Sequence, residues 1–153
     1  ISSAVIMFII ANAGLFAFLI TRAGVPEAIG HWLEQVLQSP AMFLLGVNAA
    51  LFIIGMFIET SAAIIVLAPI LAPVAAHFGI DPVHFGVIMI LNLGIGLCTP
   101  PVGAVLFVGC AVGRISIWQA MRTIWPFYGA AFATLMLVTY VPALSLWLPS
   151  VFR

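Results

Sequence analysis

The segment from Asn92 to Gly103 (Asn-Leu-Gly-Ile-Gly-Leu-Cys-Thr-Pro-Pro-Val-Gly) interrupts an apolar run that is otherwise long enough to cross a bilayer. Proline removes a backbone donor and clashes with the preceding turn. Thr99 and Pro100 each precede a proline, which disfavours the helical conformation. We therefore expect two half-helices with an unwound centre, whose free carbonyls and amides can bind an ion or a substrate. The alternative is a proline kink repaired by neighbouring helices.

The composition indicates an integral membrane protein. The chain is 65% hydrophobic and 5% charged, and its mean hydropathy is +1.35. A soluble domain of 153 residues could not bury that much apolar surface. The apolar runs are continuous and do not alternate with a period of two, which predicts helices and not a barrel. The net charge is zero, so no basic surface suggests nucleic acid.

Five segments follow one another along the chain. They are an apolar span (2–20), an amphipathic helix expected in the membrane plane (25–38), an apolar stretch (41–78), the interrupted helix (80–112), and a short amphipathic link (114–122) that leads into a last span (124–148). The chain opens without Met or a charged leader, and we interpret it as one half of a larger transporter.

The stretch 41–78 allows two geometries. Its polar interruption, Glu59-Thr60-Ser61, lies near the middle. Two full spans could turn there in water, or two shorter arms could enter and leave on one side with this tip inside the bilayer. The arms are short for full spans, and the tip has no Gly, Pro or Asn to build an exposed turn. Pro69 and Pro73 are expected to break the second arm further.

Several polar side chains are open to two interpretations. Glu59 is the only acidic residue far from a predicted membrane surface, so it is either functional or a hydrogen-bond acceptor for the tip backbone. Asn92 either orients the unwound segment or makes an ordinary interhelical bond. The spacing of His77, Asp81 and His84 suggests a metal site, but Pro82 interrupts that helix and favours a solvated loop.

Taken together, six short motifs resemble the large membrane subunit (DctM-type) of tripartite ATP-independent periplasmic (TRAP) transporters, in its C-terminal part. The motifs are Gly55-Met56-Phe57-Ile58-Glu59-Thr60, Pro69-Ile70, Gly79-Ile80-Asp81-Pro82, His84-Phe85-Gly86, Asn92-Leu93-Gly94-Ile95-Gly96 and Thr99-Pro100-Pro101-Val102-Gly103. Each motif is weak alone, whereas their order and spacing are specific.

The resemblance implies an all-α integral membrane fold, the second inverted repeat of an elevator-type transporter. Residues 1–38 would be a scaffold-type transmembrane helix plus an interfacial helix. Residues 39–113 would be the transport-domain hairpin and broken helix, with 41–78 re-entrant and 82–112 broken. Residues 114–153 would be the link and last transmembrane helix. The protein would be a multi-pass protein of the bacterial inner membrane.

The implied function is sodium-coupled uptake of a carboxylate, such as a C4-dicarboxylate, sialic acid or a sugar acid. The expected partners are a periplasmic substrate-binding protein, a small four-helix membrane subunit, the N-terminal repeat of the same subunit and the lipid bilayer. No enzymatic activity is expected, and no cofactor other than sodium as coupling ion. Alternatives are a divalent-anion sodium symporter that works without a binding protein, and, more remotely, an intramembrane enzyme.

Two sets of site residues follow on this interpretation. Sodium would be bound by Gly94, Gly96 and Thr99, closed from the tip by Thr60 or Ser61. Helix starts near Ser61 and Pro101 would face a carboxylate with their positive ends. The substrate-binding candidates are Glu59, Asn92, Pro100, Pro101 and Gly103.

Orientation is indicated only by the distribution of charge. Arg114 and Arg122 fall on one side without acids, which favours the cytoplasm for that side and the periplasm for the C-terminus.

Overall fold

The computed structural model describes residues 39–101 and 103–151, together with Leu15, residues 18–19, residues 22–24 and Ala28. These residues are helical with no strand, which confirms the predicted all-helical class for this part of the chain. The helices are α1 (Pro40–Gly55), α2 (Thr60–His77), α3 (Pro82–Leu97), α4 (Ala104–Gly113), α5 (Ile117–Tyr140) and α6 (Pro142–Val151). The predicted segments 2–20 and 25–38 lie outside the described residues, apart from those few positions.

Local sequence determines where several helices begin. Ser39 caps α1 and Asp81 caps α3, and each is followed by a proline at the first helical position, where a missing amide costs no hydrogen bond. Ser116 forms a capping box at the start of α5. The connections before α1, α3 and α5 are therefore specified by a few adjacent residues.

Helix α3 is the central element, because it contacts each of the other five described helices. It runs in the same direction as α1, since three contacts between the two helices follow the same order along both. They pair Phe43 with Phe85, Asn48 with Asn92, and Gly55 with Gly96. Helix α5 runs the opposite way, with Thr139 beside His84 and Tyr128 beside Cys98.

The ends of α1 and α3 touch through their backbones. A Cβ placed on Gly96 would lie 2.7 Å from the carbonyl carbon of Gly55 and 2.8 Å from its Cα. A Cβ on Gly55 would lie 3.1 Å from the Cα of Leu93. A side chain at Gly96 would therefore overlap backbone, and one at Gly55 would fit only if the Leu93 backbone moved by a few tenths of an ångström.

Phenylalanine rings join the two ends of the hairpin formed by α1 and α2. Phe43, near the start of α1, stacks on Phe78, just after α2, with ring centroids 4.5 Å apart. Phe85 of α3 also stacks on Phe43, with ring centroids 6.5 Å apart. The core continues from this base with buried apolar residues of four helices, among them Leu51, Val74, Ile88, Leu93 and Leu135.

The predicted break in the helix at 80–112 is confirmed, but it is shorter than expected. Helix α3 continues through Leu97, and α4 begins at Ala104. The expectation that Gly94 and Gly96 are unwound is therefore wrong. Glycine weakens a helix by about 1 kcal/mol without forbidding it, whereas Pro100 and Pro101 remove amide donors. The described residues between the two helices, 98–101 and Gly103, are not helical.

Pro69 and Pro73 do not break α2, which contradicts the prediction. The helix runs unbroken from Thr60 to His77. Prolines four residues apart lie on one helical face, so the lost hydrogen bonds affect that face only. Burial of Ala63, Val74 and Ala75 in the common core offsets that loss.

The final segments are also divided differently from the prediction. The expected link at 114–122 is largely the first turns of α5, which runs continuously from Ile117 to Tyr140. The expected span at 124–148 ends early, because Pro142 lacks an amide and disfavours the helical conformation of Val141. Of the described helices, Thr60–His77 and Ile117–Tyr140 are long and apolar enough to cross a membrane.

We predict opposite outcomes for alanine at two glycines of α3. Gly96→Ala should lower the free energy of unfolding by about 1–3 kcal/mol, because the new methyl overlaps the Gly55 backbone. Gly94→Ala should be neutral or stabilising, because no described atom lies within 4 Å of its added methyl. Thermal unfolding of the complete permease in detergent measures both. Equal changes in the unfolding temperature for the two variants would contradict the backbone contact between Gly55 and Gly96.

Candidate functional site

The hairpin tip is the turn 56–59, and Glu59 is the cap of α2. One carboxylate oxygen accepts from the Ser61 amide (3.0 Å) and hydroxyl (2.9 Å), and the other accepts from the Ala62 amide (3.1 Å). Both oxygens of Glu59 are thus engaged with the first turn of α2, which favours the structural interpretation of this residue. Thr60 and Ser61, expected at the tip, are the first helical residues.

The two hydroxyls after Glu59 differ in their surroundings. The Ser61 side chain is exposed and bonded to Glu59. The Thr60 Oγ1 is buried and has no hydrogen-bond partner among the described residues. A buried hydroxyl without a partner requires an explanation, and a bound ion is one.

The break after α3 combines a hydroxyl oxygen with irregular backbone. The Thr99 Oγ1 donates to the Ile95 carbonyl at 2.8 Å and also lies within reach of the Tyr128 hydroxyl, so it can still accept from or bind a further group. Pro100 and Pro101 are joined by a cis peptide bond. Gly103 has φ 42°, a conformation that other residues rarely adopt, and a Cβ there would lie 3.0 Å from the Thr99 carbonyl oxygen. Both the backbone conformation and the packing therefore favour glycine at this position.

The tip and the break are brought together by the Gly55–Gly96 contact. Gly55 directly precedes the turn 56–59, and Gly96 lies two residues before Cys98, where the break begins. The structure therefore joins the two segments that carry most of the predicted site residues. Asn92 does not lie at this point, because it is one helical turn further back and fully buried.

Asn92 belongs to a buried polar chain between three helices. Its Nδ2 donates to the Asn48 carbonyl (2.9 Å) and Oδ1 (2.6 Å). Asn48 Nδ2 donates to Thr139 Oγ1 (3.1 Å), which donates to the Leu135 carbonyl (2.7 Å). The Asn92 Oδ1 has no partner in the described part of the chain. These bonds join α1, α3 and α5 between the base of the hairpin and the site.

His84 is buried, which corrects its assignment to a solvated loop. Its Nε2 lies 3.3 Å from the Thr139 carbonyl and its Nδ1 lies 3.1 Å from Ser145 Oγ. A carbonyl only accepts, so Nε2 carries a hydrogen. Through His84 the start of α3 is joined to the end of α5 and to α6. Sequence spacing could not predict these partners, which lie 55 and 61 residues away.

Tyr128 is a further residue that the sequence did not single out. Its hydroxyl donates to the Cys98 carbonyl at 2.6 Å, and its side chain is 7% exposed. The sequence did contain an indication, since a tyrosine within an apolar span needs a hydrogen-bond partner for its hydroxyl. The bond joins the middle of α5 to the break.

A family search gives the class of the protein. The family model for the DctM component of the tripartite ATP-independent periplasmic transporter matches residues 1–144. The chain therefore belongs to this family of large TRAP permease subunits, which confirms the resemblance found in the sequence.

Curated relatives agree with this assignment. The C4-dicarboxylate TRAP transporter large permease protein DctM of Rhodobacter capsulatus is 45% identical over 97% of the chain and 34% of the relative. Its namesake in Pseudomonas aeruginosa is 48% identical over 95% of the chain and 34% of the relative. The sialic acid TRAP transporter large permease protein SiaM of Vibrio cholerae is 37% identical over 99% and 35%.

The chain spans about a third of the length of these relatives. Their names are those of transporter permeases and not of enzymes, and TRAP permeases are integral membrane proteins. The match does not favour the divalent-anion symporter that was the alternative.

We predict that Asn48→Leu destabilises the permease by about 1–3 kcal/mol, since it leaves Asn92 Nδ2 and Thr139 Oγ1 with fewer partners in a buried site. Thr134→Val is the control, because the Thr134 hydroxyl on the same helix as Thr139 is exposed and bonds only within α5. Thermal unfolding in detergent compares the two. A smaller loss for Asn48→Leu than for Thr134→Val would contradict a stabilising role of the buried chain.

Proposed function

We propose that the protein carrying this chain is a secondary transporter that takes up a carboxylate, is coupled to sodium and receives its substrate from a periplasmic binding protein. The observation that carries the proposal is the meeting of the hairpin tip with the helix break at Gly55 and Gly96, in a chain of the DctM family. Unwound backbone at membrane depth occurs where it is buried in protein or lines a cavity, and transporters use it to build midplane sites.

A cation is supported at the end of α3. The C-terminal end of a helix is its negative end, and carbonyls of interrupted helices are common sodium ligands. Thr99 offers a hydroxyl oxygen whose hydrogen is already donated to Ile95, and Thr60 offers a buried oxygen without a partner among the described residues. We therefore propose Thr60, and not Ser61, as the ligand from the hairpin, together with Thr99 and the carbonyls of Gly94 and Gly96. The Ile95 carbonyl already accepts two hydrogen bonds.

An anion is supported at the start of α4. The first amides of α2 are already bonded to the Glu59 carboxylate, whereas Gly103, at the start of α4, supplies no side-chain cap. We propose that the substrate carboxylate lies near Pro100, Pro101 and Gly103. Two of the relatives are named for C4-dicarboxylate and one for sialic acid, both carboxylates. Glu59 and Asn92 would then act indirectly, by shaping the tip and supporting α3.

The position of the tip along helix α5 supports the re-entrant geometry. Its 24 residues are about 36 Å long, which is enough to cross a bilayer. Tyr140, at one end, donates to the Ala41 carbonyl near the base of the hairpin. Tyr128 bonds the break and lies about 18 Å from Tyr140 along the axis. The tip beside Gly96 is therefore level with the middle of α5.

The remaining parts of the proposal concern the whole transporter. Since the chain spans about a third of its relatives, we propose that an inverted repeat, a small four-helix membrane subunit and a periplasmic receptor complete it. The complete protein would be a multi-pass inner-membrane protein that moves its hairpins and broken helices as an elevator.

We predict that the two ends of the hairpin are accessible from the same side of the membrane. Single cysteines at Ala41 and Ala76, both exposed, would be placed in the full permease after Cys98 and Cys110 are replaced. A membrane-impermeant thiol reagent should label both from one side and a cysteine at Ile115 from the other. Labelling of Ala41 and Ala76 from opposite sides would contradict the hairpin.

We predict that Thr60→Val and Thr99→Val each raise the sodium concentration for half-maximal uptake by roughly five- to thirtyfold, the equivalent of about 1–2 kcal/mol. Each change preserves shape and removes one oxygen. Ser61→Ala is the matched control, because its hydroxyl is bonded to Glu59. The measurement is initial uptake into proteoliposomes that hold the complete transporter with its loaded receptor. Unchanged half-saturation in both variants would remove these oxygens from the site.

A further inference from the structure

The side chain of Tyr128 reaches from the middle of α5 to the break. Its hydroxyl donates to the Cys98 carbonyl at 2.6 Å, a short bond for two neutral groups, and lies within reach of the Thr99 side chain. The ring is held edge-on against Trp125, with centroids 6.2 Å apart. The groove around this contact is otherwise apolar and lined by residues such as Ile90, Ile95 and Phe127. In such surroundings a hydrogen bond has few competitors and is strong.

The Cys98 carbonyl, which Tyr128 binds, lacks the backbone donor that a tightened last turn would supply. At the end of a helix the last carbonyls lack partners, and a tightened last turn usually supplies them from three residues ahead. For Cys98 that residue is Pro101, which has no amide hydrogen. The phenol therefore replaces a donor that the proline pair has removed.

We propose that Tyr128 is a positioning residue of the coupling-ion site, which fixes the direction of the Cys98 carbonyl so that its second lone pair faces the ion. This inference rests on the proposed function, because it assumes that the cation lies at the end of α3. A carbonyl oxygen has two lone pairs, and a phenol occupies only one of them. The hydrogen bonds of Asn48 and His84 with Thr139 hold α5 in register, so the phenol approaches from a constant direction.

A positioning role predicts a change in ion affinity and ion preference. Tyr128→Phe removes only the hydroxyl. The sodium concentration for half-maximal uptake should rise by about two- to tenfold, as expected for one lost hydrogen bond. The ratio of half-saturation by lithium to that by sodium should also change, because a carbonyl that is free to turn discriminates less between ions of different size. A purely structural loss lowers the maximal rate and leaves this ratio unchanged.

The matched control is Tyr140→Phe on the same helix. Tyr140 also donates to a backbone carbonyl, that of Ala41, but at the far end of the hairpin (3.4 Å). All variants would be assayed in proteoliposomes with the complete transporter and its loaded receptor, with sodium or lithium as the only cation varied. Half-saturation does not depend on the amount of folded protein, so partial loss of protein leaves the test valid. A second variant, Tyr128→Leu, also removes the hydroxyl and replaces the ring with a smaller apolar side chain.

The outcomes separate this proposal from the one it rests on. A shift in half-saturation and in ion preference for Tyr128→Phe, with Tyr140→Phe unchanged, supports the positioning role. If Thr99→Val shifts the sodium half-saturation but neither Tyr128 variant does, the ion site stands and the role of Tyr128 is overturned. If none of these variants shifts it, the ion site itself fails and the inference fails with it. Equal shifts for Tyr128→Phe and Tyr140→Phe would also overturn it.

Discussion

The backbone contact between Gly55 and Gly96 is the constraint on which the site depends. Without it, the turn after α1 and the break after α3 would be separate irregular segments. Two glycines remove every side chain from the crossing, so the two helix ends can lie within van der Waals contact. The capped start of α2 and the hydroxyl of Thr99 each lie within a few residues of this crossing. A single added methyl therefore threatens the site as well as the packing.

Helix α5 supports this arrangement from the side. Irregular backbone in an apolar environment leaves polar groups that need partners. Tyr128 satisfies one carbonyl at the break, and Thr139 accepts from Asn48 and lies beside His84 near the start of α3. Every one of these contacts crosses from α5 to an element that belongs to the hairpin or to the broken helix. The last long helix thus packs as part of the same body and not as a separate one.

Local features of the sequence predicted much of this fold. The proline pair indicated the break and the polar triplet at Glu59 indicated the turn between α1 and α2, because each effect acts within a few residues. Most errors concern effects that depend on tertiary packing. Pro69 and Pro73 remain helical since α2 packs against the core, with Val74 and Ala75 buried directly after Pro73. The error at Gly94 has a local cause instead: the helix continues there because no proline follows within four residues. The partners of His84 and Tyr128 are distant in sequence, so no local pattern could indicate them.

The cap at Glu59 has an electrical consequence. A helix start carries about half a positive elementary charge, and the Glu59 carboxylate lies against that of α2. The tip therefore presents about half a negative charge and not a whole one. An elementary charge that crosses the full field of a 100 mV membrane potential gains or loses about 2.3 kcal/mol. In an elevator cycle of the kind proposed, the self-neutralised tip would contribute little to this work. The potential would then act mainly on the ions and the substrate, which makes the net charge of the cargo the main determinant of whether uptake is electrogenic.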